Sequence, residues 1–434
     1  MSLADPELDG PGVAKGDPGQ ERAILLTVAA VQFTSIVDFV VLMPLGSQLM
    51  RTLDISPAQF GLVVSSYPLS AAVACVAAAS VIDRFGRKAA FLGLYVGFLV
   101  GTLLCGLARS YEWLLAARVV TGAFGGVLGG MAQTIVGDVF PDERRGRATG
   151  FLMSAFSLAS IAGVPFGLYI GTRSGWQTPF LTLAGLGLPI LAVGAWALPP
   201  LRGHVGRKGE STRARLWETF THPNHLRCFA LIGAVMFGSF LVVPFIGPYF
   251  EANVGIAERD LPWIYVVGGA LSLVSSPLVG WWADRSGKLR IYQIIAPASA
   301  VIILALSVLP RVPLAVAAGL VGLLMMTNSG RMVAAMAMVN NSVEPRLRGG
   351  FMSAHSSVQH VALGLGSFVA GLIVVQAPDG TLRNYGVAGL IGAGSTLLSI
   401  WLAGRLRPAT GKPIADPVPA ALDPIDQVPA AEAF

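Results

Sequence analysis

The sequence predicts an all-α membrane protein with twelve spanning helices in two related halves. Three observations support this: the composition, the number of long apolar runs, and motifs that occur once in each half. Hydrophobic residues make up 54% of the 434 residues and charged residues only 12%, and the mean hydropathy is +0.66. A soluble domain carries about 25% charged residues, so the composition favours a chain that lies largely within a bilayer.

Twelve apolar runs are long enough to cross a bilayer, which takes about 20 residues in a helix. Each run ends at glycine, proline or a cluster of charges. The 52 glycines agree with this interpretation, because glycine lets membrane helices approach closely. We number the predicted helices 1 to 12, and they start near residues 24, 59, 89, 113, 148, 178, 227, 262, 292, 313, 350 and 385.

The lysines and arginines predict which side each loop faces, because cytoplasmic loops of membrane proteins are rich in them. With the N-terminus inside, most of the 30 cations fall in inner loops, and Arg118 and Arg331 fall inside helices. Both termini are therefore expected in the cytoplasm, and the pI of about 9.4 reflects topology rather than nucleic-acid binding. The outer loops hold Arg51, Arg109, Arg173, Arg259, Arg311 and Arg383.

The polar stretches divide the chain into two bundles, a linker and two tails. Both tails are rich in proline and small residues and are expected to be disordered. The N-terminal one lacks the pattern of a cleaved signal peptide. The expected divisions are a tail at 1–21, a six-helix bundle at 22–199, a cytoplasmic linker at 200–226, a second bundle at 227–405, and a tail at 406–434.

A charged turn occurs once in each half. The stretch Asp83-Arg84-Phe85-Gly86-Arg87-Lys88 joins helices 2 and 3, and Gly86 is expected to supply the permissive backbone. Asp284-Arg285-Ser286-Gly287-Lys288 follows 201 residues later, between helices 8 and 9. Further matches, Arg145 with Arg348 and Met153 with Met352, have offsets of 203 and 199 residues. The repeat indicates an internal duplication.

Asp38 is the acidic residue that falls well inside an apolar run. Burying it costs at least about 2.5–3.5 kcal/mol, so it needs a partner or a wet cavity. At 1.5 Å per residue, Asp38 lies about 21 Å from the inner end of helix 1 and Arg118 about 8 Å from the outer end of helix 4. Both therefore lie at nearly one level, and they can pair. Asp38 can serve in a fixed structural ion pair or take part in transport. Arg118 can instead extend to the outer membrane interface, which is called snorkelling.

Helix 5 carries a glycine stripe, and helices 10 and 11 carry polar residues. Gly163, Gly167 and Gly171 recur every four residues, and Pro165 beside them predicts a bend; simple close packing is the alternative. Helix 10 contains Asn328 and Arg331, and helix 11 contains His355, Gln359 and His360. Histidine titrates near neutral pH, but these two also fit as core residues. Cys75, Cys105 and Cys228 are expected to be small core residues.

These motifs resemble those of the major facilitator superfamily of secondary transporters over about residues 22–405. The pattern Asp83-Arg84-x-Gly86-Arg87-Lys88 and its second copy resemble the family's loop motif, although Ala79 stands where the family has glycine. Arg118-x-x-Thr121-Gly122 resembles the helix 4 motif. Gly163-x-Pro165 with Gly167 resembles the helix 5 motif of the antiporter branch, with Val164 and Leu168 in place of glycines.

The resemblance implies two six-helix bundles that rock about a central site lined by helices 1, 4, 7 and 10. It also implies a cytoplasmic latch, in which Asp83 lies at the N-terminus of helix 11 and Arg87 pairs with Asp138. The closest likeness is to proton-coupled efflux proteins for drugs or sugars. From the residues, Asp38 is the expected proton-coupling group, with Arg118 as partner and His360 as the next candidate.

We therefore expect a proton-coupled efflux carrier for a small organic solute, which spans the inner (cytoplasmic) membrane of the cell many times. It is expected to act as a monomer and to need no cofactor, metal or nucleic acid. Uptake or facilitated transport of an organic anion is the alternative, because Asp38, Arg118 and Arg331 leave a net positive charge. A receptor or scaffold is the rival class, which a counterflow assay separates from a carrier. No nucleophile–base set suggests an enzyme.

Overall fold

A computed structural model describes residues 18–81, 85–199, 219–344 and 348–409 of the chain. Within these ranges, twelve helices are long and apolar enough to cross a membrane, as the sequence predicts. We label them α1 to α12. Their bounds are α1 Pro18–Val41, α2 Pro57–Val81, α3 Arg87–Gly106, α4 Tyr111–Val139, α5 Asp142–Leu158 continued by Val164–Ser174, α6 Thr178–Ala197, α7 Pro223–Phe240 with its extension, α8 Leu261–Ser286, α9 Lys288–Ser307, α10 Leu314–Asn341, α11 Arg348–Ile373 and α12 Tyr385–Gly404.

The helices form two bundles of six, α1–α6 and α7–α12. Each bundle repeats the same neighbours: α3 packs against α4 and α6, and α9 packs against α10 and α12. A short helix, Gly46–Leu53, connects α1 to α2. Two short strands, β1 at Val375–Gln376 and β2 at Leu382–Arg383, pair antiparallel between α11 and α12. The repeated packing agrees with the duplication that the loop motifs predict.

Two of the spanning helices are interrupted. In α5, a π-helical turn at Ala159–Gly163 separates the two segments, and Pro165 follows in the first turn of the second one. Proline removes one backbone hydrogen bond and its ring crowds the preceding turn, which accounts for the break near it. In α7, a 3₁₀ turn at Val243–Phe245, a short helix at Ile246–Tyr249 and a π turn at Phe250–Val254 extend the helix.

The two bundles share one hydrophobic core at one end and have separate cores at the other. The shared core joins residues of both bundles, including Phe60 and Phe245, whose rings are 5.4 Å apart. A second core, with Phe91 and Leu128, belongs to the first bundle alone. A third, with Phe351 and Met338, belongs to the second. We call the end near Phe60 the closed end and the opposite end, near Arg87, the open end.

The contact between α2 and α11 also shows that the two bundles are close at the closed end and apart at the open end. Gly61, Ser65 and Leu69 recur every four residues along α2 and face α11. An added Cβ atom on Gly61 would lie 2.7 Å from the Gly371 Cα, and one on Gly364 would lie 2.6 Å from the Leu69 Cγ. Val73, the next residue of this stripe, is 72% exposed. The two helices therefore touch in their closed-end halves and separate toward the open end.

The structure corrects two details of the sequence analysis. Gly86 has φ −61° and ψ 138°, an ordinary extended backbone, so the turn does not require glycine there. Gly287, its counterpart in the second copy, has φ 89°, a conformation that other residues rarely adopt. The first, fifth and seventh helices also begin four to six residues earlier than predicted, at Pro18, Asp142 and Pro223.

Candidate transport site

Asp38 and Arg118 form an ion pair inside the first bundle. The Arg118 Nη1 atom lies 2.7 Å from Asp38 Oδ2, and both side chains are fully buried. The same Nη1 is 3.4 Å from the Asp38 carbonyl oxygen. The two residues lie at the same depth, as predicted, and they are in contact because α1 and α4 lie side by side. Arg118 does not snorkel to the interface.

Neighbouring helices complete the surroundings of this pair. Thr102 of α3 donates a hydrogen bond of 3.0 Å to the other carboxylate oxygen, Oδ1 of Asp38. The Arg118 guanidinium lies over the Tyr67 ring of α2, 4.6 Å from its centroid, where the electron-rich face attracts a cation. Sequence analysis missed Thr102 and Tyr67, since a threonine and a tyrosine within apolar runs carry no signal of their own.

Thr121 and Gly122 bring the surrounding helices close together. Thr121 donates to the Ala117 carbonyl at 2.7 Å, and an added Cβ on Gly101 of α3 would lie 2.6 Å from its hydroxyl. A Cβ on Gly122 would lie 2.2 Å from the Tyr67 carbonyl oxygen. These residues do not contact the carboxylate; they let α2 and α3 pack tightly on α4.

Arg331 occupies the interior of the second bundle and is also fully buried. Its Nη1 donates to Thr396 of α12 at 2.9 Å, and its Nη2 donates to Ser239 of α7 at 3.0 Å and to Asn328 Oδ1 at 2.5 Å. The Nε atom has no hydrogen-bond partner. In the described part of the chain, no carboxylate forms an ion pair with this guanidinium.

The polar residues of α11 do not join this cluster. Gln359 Nε2 lies 3.8 Å from the sulfur of Met236. His355 Nε2 and His360 Nδ1 are buried without a hydrogen-bond partner. His355 lies against Phe351, with ring centroids 5.9 Å apart, which fits a core position. No carboxylate pairs with either histidine among the described residues.

The predicted latch is described only in part. Arg87 Nε lies 3.3 Å from Asp138 Oδ2, joining α3 to α4 at the open end, and Lys88 beside it is partly exposed. Asp83 and Arg84 lie outside the described residues. In the second copy, Asp284 and Arg285 are exposed, and Arg285 stacks on Trp281 at 4.1 Å. Among the described residues, Asp284 forms no ion pair.

The glycine stripe of α5 packs against α1 within the first bundle. Added Cβ atoms on Gly163, Gly167 and Gly171 would lie 2.3 to 2.9 Å from side-chain carbons of Val37, Val41 and Leu45, respectively. Those three residues also recur every four positions; Val37 and Val41 lie on the helix that carries Asp38, and Leu45 lies in the turn that follows it. The stripe thus holds α5 close to the segment of α1 that positions the carboxylate.

An ion cluster that the sequence analysis did not identify joins the two halves at the closed end. Arg51, in the connecting helix after α1, contacts the carboxylate of Glu251 and lies 2.8 Å from Glu258 Oε2. Although partial burial opposes it, the hydrogen bond and charge of Glu251, followed by those of Glu258, raise the pKa of Arg51 above its ordinary value. The guanidinium therefore stays charged and ties the bundles together.

The described residues contain no group of three or more His, Cys, Asp or Glu side chains that is placed to hold a metal ion. Cys75, Cys105 and Cys228 are free thiols, two of them buried. The described site consists of a buried ion pair in the first bundle and a buried, hydrogen-bonded arginine in the second, inside a scaffold that is closed at one end.

The family model of the Major Facilitator Superfamily matches the chain twice, over residues 28–244 and 228–431. The chain belongs to the major facilitator superfamily. Among its relatives, the inner membrane transport protein YdhP of Escherichia coli (strain K12) is 24% identical over 373 residues, 83% of this chain and 90% of that protein.

A chloramphenicol efflux pump of Mycobacterium tuberculosis (strain ATCC 25618 / H37Rv) is 28% identical over 255 residues, which cover 57% of this chain and 60% of the pump. The crystal structure of a D-xylose–proton symporter has the same fold, with a TM-score of 0.72 and 16% identity over 90% of this chain and 99% of the symporter. The protein is a multi-pass membrane transporter of this superfamily and not an enzyme.

Proposed function

We propose that this superfamily member is a proton-coupled secondary transporter, which exports a small organic solute across the cytoplasmic membrane by alternating access. The observation that carries the proposal is the buried contact of Asp38 with Arg118 and Thr102. A carboxylate is the one side chain of this trio that exchanges a proton under ordinary conditions. Because Asp38 lies on α1 and contacts Arg118 of α4, a change in its protonation alters a contact between these two helices.

The conformation supports loading from the cytoplasm. The Arg51 cluster and the shared core close one end, while α2 and α11 separate at the other. If the cations mark the cytoplasmic side, the open end faces inward, with both termini and the linker at 200–226 on that side. Solute then enters from within, and rocking of the two bundles presents it to the outside.

The pair supplies a simple coupling cycle. With the proton absent, Asp38 holds Arg118 through a charge-assisted hydrogen bond. When the bundles rock and water reaches the carboxylate, a proton from outside neutralises Asp38 and weakens its hold on the arginine. Return to the inward-open state releases the proton to the cytoplasm. One proton thus moves in for each solute moved out, and a ligand that competes with the proton or with Arg118 completes the exchange.

Of the similar proteins, the mycobacterial efflux pump supports export. The name of the mycobacterial relative makes chloramphenicol the first compound to test, and the name of the xylose symporter makes proton coupling a reasonable mechanism within this fold. The Gly163-x-Pro165 stripe, which lies against α1, is our second argument for the antiporter branch.

The test is transport by the purified chain in proteoliposomes, with chloramphenicol first and then compounds that stabilise the protein thermally. An acidic lumen should drive accumulation of the solute. Asp38→Asn should abolish this accumulation and spare solute exchange, which needs no net proton movement. Asp379→Asn, the same change in the exposed loop between β1 and β2, is the matched control and should transport normally.

Two results would overturn the proposal. If Asp38→Asn retains gradient-driven accumulation, the pair is structural, and either His360 couples the proton or transport is uncoupled. If no compound of the screen shows counterflow with the unaltered chain, the proposed export of small organic solutes of this kind is wrong.

A further inference from the structure

Arg331 is a buried cation whose partners in the described structure are neutral. Thr396 and Ser239 each donate their hydroxyl proton to a carbonyl of their own helix, of Gly392 and Val235, respectively, both at 2.9 Å. Their oxygen lone pairs are therefore the atoms that face the guanidinium. Asn328 contributes a third neutral oxygen. The cluster orients Arg331 without neutralising it.

A buried arginine is normally paired with a carboxylate, because an uncompensated charge in a low-dielectric interior is costly. The first bundle follows this rule at Arg118. In the second bundle, Ser239 lies 201 residues after Asp38, the same offset that separates the two loop motifs. Position 239 thus carries a hydroxyl where the first bundle has a carboxylate. Arg331 is not itself the repeat counterpart of Arg118, whose position corresponds to Gly319 at this offset, but it contacts Ser239 and has no carboxylate partner among the described residues.

The free edge of the guanidinium has the geometry that a carboxylate needs. Nε and Nη2 lie on one edge of the planar group, where an anion accepts two parallel hydrogen bonds. Nε has no partner, and Nη2, the other nitrogen of this edge, donates to Asn328 and to Ser239. An oxygen pair that takes the place of the Asn328 amide would therefore satisfy Nε as well as the charge.

Asn328 lies on a partly exposed face of α10. Asn328, Met332 and Met336 recur every four residues and are all partly exposed. Val316 and Leu323, which are 47% and 43% exposed, lie on another side of the helix, as expected for lipid contact. Arg331 is thus one side chain away from an apolar, partly open surface. Rotation of the Asn328 side chain would free Nη2 from one of its two acceptors.

We propose that Arg331 is the anion-binding residue of this transporter, and that the solute class is an apolar organic carboxylate, whose carboxylate displaces Asn328 from the guanidinium while its apolar part lies along Met332 and Met336. This inference rests on the proposed function only in taking the chain as a carrier. It does not depend on the direction of transport or on Asp38.

The test is thermal stability of the purified full-length chain with matched carboxylates and amides. The probes are acetate, benzoate and 2-naphthoate, each compared with its neutral amide. The carboxylates should stabilise the protein, increasingly with apolar size, and the amides should not. Arg331→Gln should weaken the apparent affinity for benzoate about tenfold or more, because a charge-assisted pair of hydrogen bonds is lost.

Asn328→Asp provides a second variant that does not remove the arginine. It places a carboxylate of nearly the same shape against the Nη2 atom, so the ligand-free protein should melt at a higher temperature and its response to benzoate should disappear. Asn340→Asp, the same change at an exposed position of α10, should do neither. Asp38→Asn should keep the response to benzoate, even where gradient-driven transport is lost.

Three outcomes would overturn the inference: carboxylates and amides that act alike on the unaltered chain, an Asn328→Asp variant that still responds to benzoate, or one that melts below the unaltered chain. If Arg331→Gln does not fold, the Asn328→Asp result decides. Failure here leaves the Asp38 experiment unaffected, because binding at equilibrium requires no pH gradient.

Discussion

The two bundles carry the same kind of residue, a fully buried arginine, in two different electrostatic settings. Arg118 has a carboxylate at 2.7 Å, a second donor on that carboxylate and an aromatic ring on its face. Arg331 has two hydroxyls and an amide. The first site holds a group that can change its charge, whereas the second holds a charge that stays. The two proposals above assign proton exchange to the first setting and anion binding to the second.

The largest expected effect comes from breaking the compensated pair. Asp38→Ala leaves Arg118 buried without its anion, and we expect a loss of about 3–5 kcal/mol in stability. Arg118→Ala should cost a similar amount by stranding Asp38. The double substitution should cost clearly less than the sum of the two, because neither charge is then left alone. Denaturant unfolding in detergent measures this, and additive losses would contradict a direct pair.

The next largest effect should come from exchanging the partners of the two buried arginines, a carboxylate for a hydroxyl and the reverse. Ser239→Asp gives Arg331 the carboxylate that Arg118 has, and should stabilise the ligand-free chain while it abolishes carboxylate binding. Asp38→Ser gives Arg118 a hydroxyl and should abolish coupling to the pH gradient. The measurements are melting temperature, benzoate binding and gradient-driven uptake for both variants. A Ser239→Asp chain that binds carboxylates unchanged would show that Arg331 is not their site.

The glycines that bring α5 and α11 close to their neighbours extend the comparison of the two halves. Gly167 faces Val41 in its own bundle, whereas Gly371 faces Gly61 of the other bundle. Gly167→Leu should cost about 1–3 kcal/mol through overpacking and block transport without unfolding the chain. Gly371→Leu should instead favour opening of the closed end, detected as increased labelling of a cysteine introduced there. Gly150→Leu, on α5 where an added Cβ meets no neighbour, is the control.

Normal transport by Gly167→Leu would show that close contact between α1 and α5 is not needed for the cycle. Unchanged labelling in Gly371→Leu would show that the contact between α2 and α11 does not set the conformational balance.

The loop motifs should give the smallest change in stability. Arg87 and Asp138 are 12% and 40% exposed at the side chain, and partly exposed pairs contribute about 0–1 kcal/mol. We predict that Asp83→Asn and Asp138→Asn lower the transport rate and leave solute affinity within a few fold, because we expect this motif to bias the balance of two conformations. Asp284→Asn should change less, since that carboxylate forms no described ion pair. A large loss of affinity with normal turnover at saturation would contradict a conformational role.

The class of fold could be predicted from the sequence because its signals are local. An apolar run of sufficient length identifies each helix, and charged turns such as Asp284 to Lys288 separate neighbouring ones. The duplication is equally visible, since it repeats residue types at nearly constant offsets. The pairing of Asp38 with Arg118 was accessible in the same way: buried charges are rare, and their distances from the helix ends can be counted.

Other features depend on how the helices pack. Thr102 and Tyr67 become part of the site only because α2 and α3 surround the pair, and nothing in their own sequence marks them. The neutral surroundings of Arg331 follow from the positions of Ser239 and Thr396 on helices far apart in the chain. The Arg51 cluster and the separation of α2 from α11 at Val73 describe one packing of the two bundles. Sequence determined which residues can be buried and charged; tertiary structure decided which charges meet a partner, because that depends on contacts between helices.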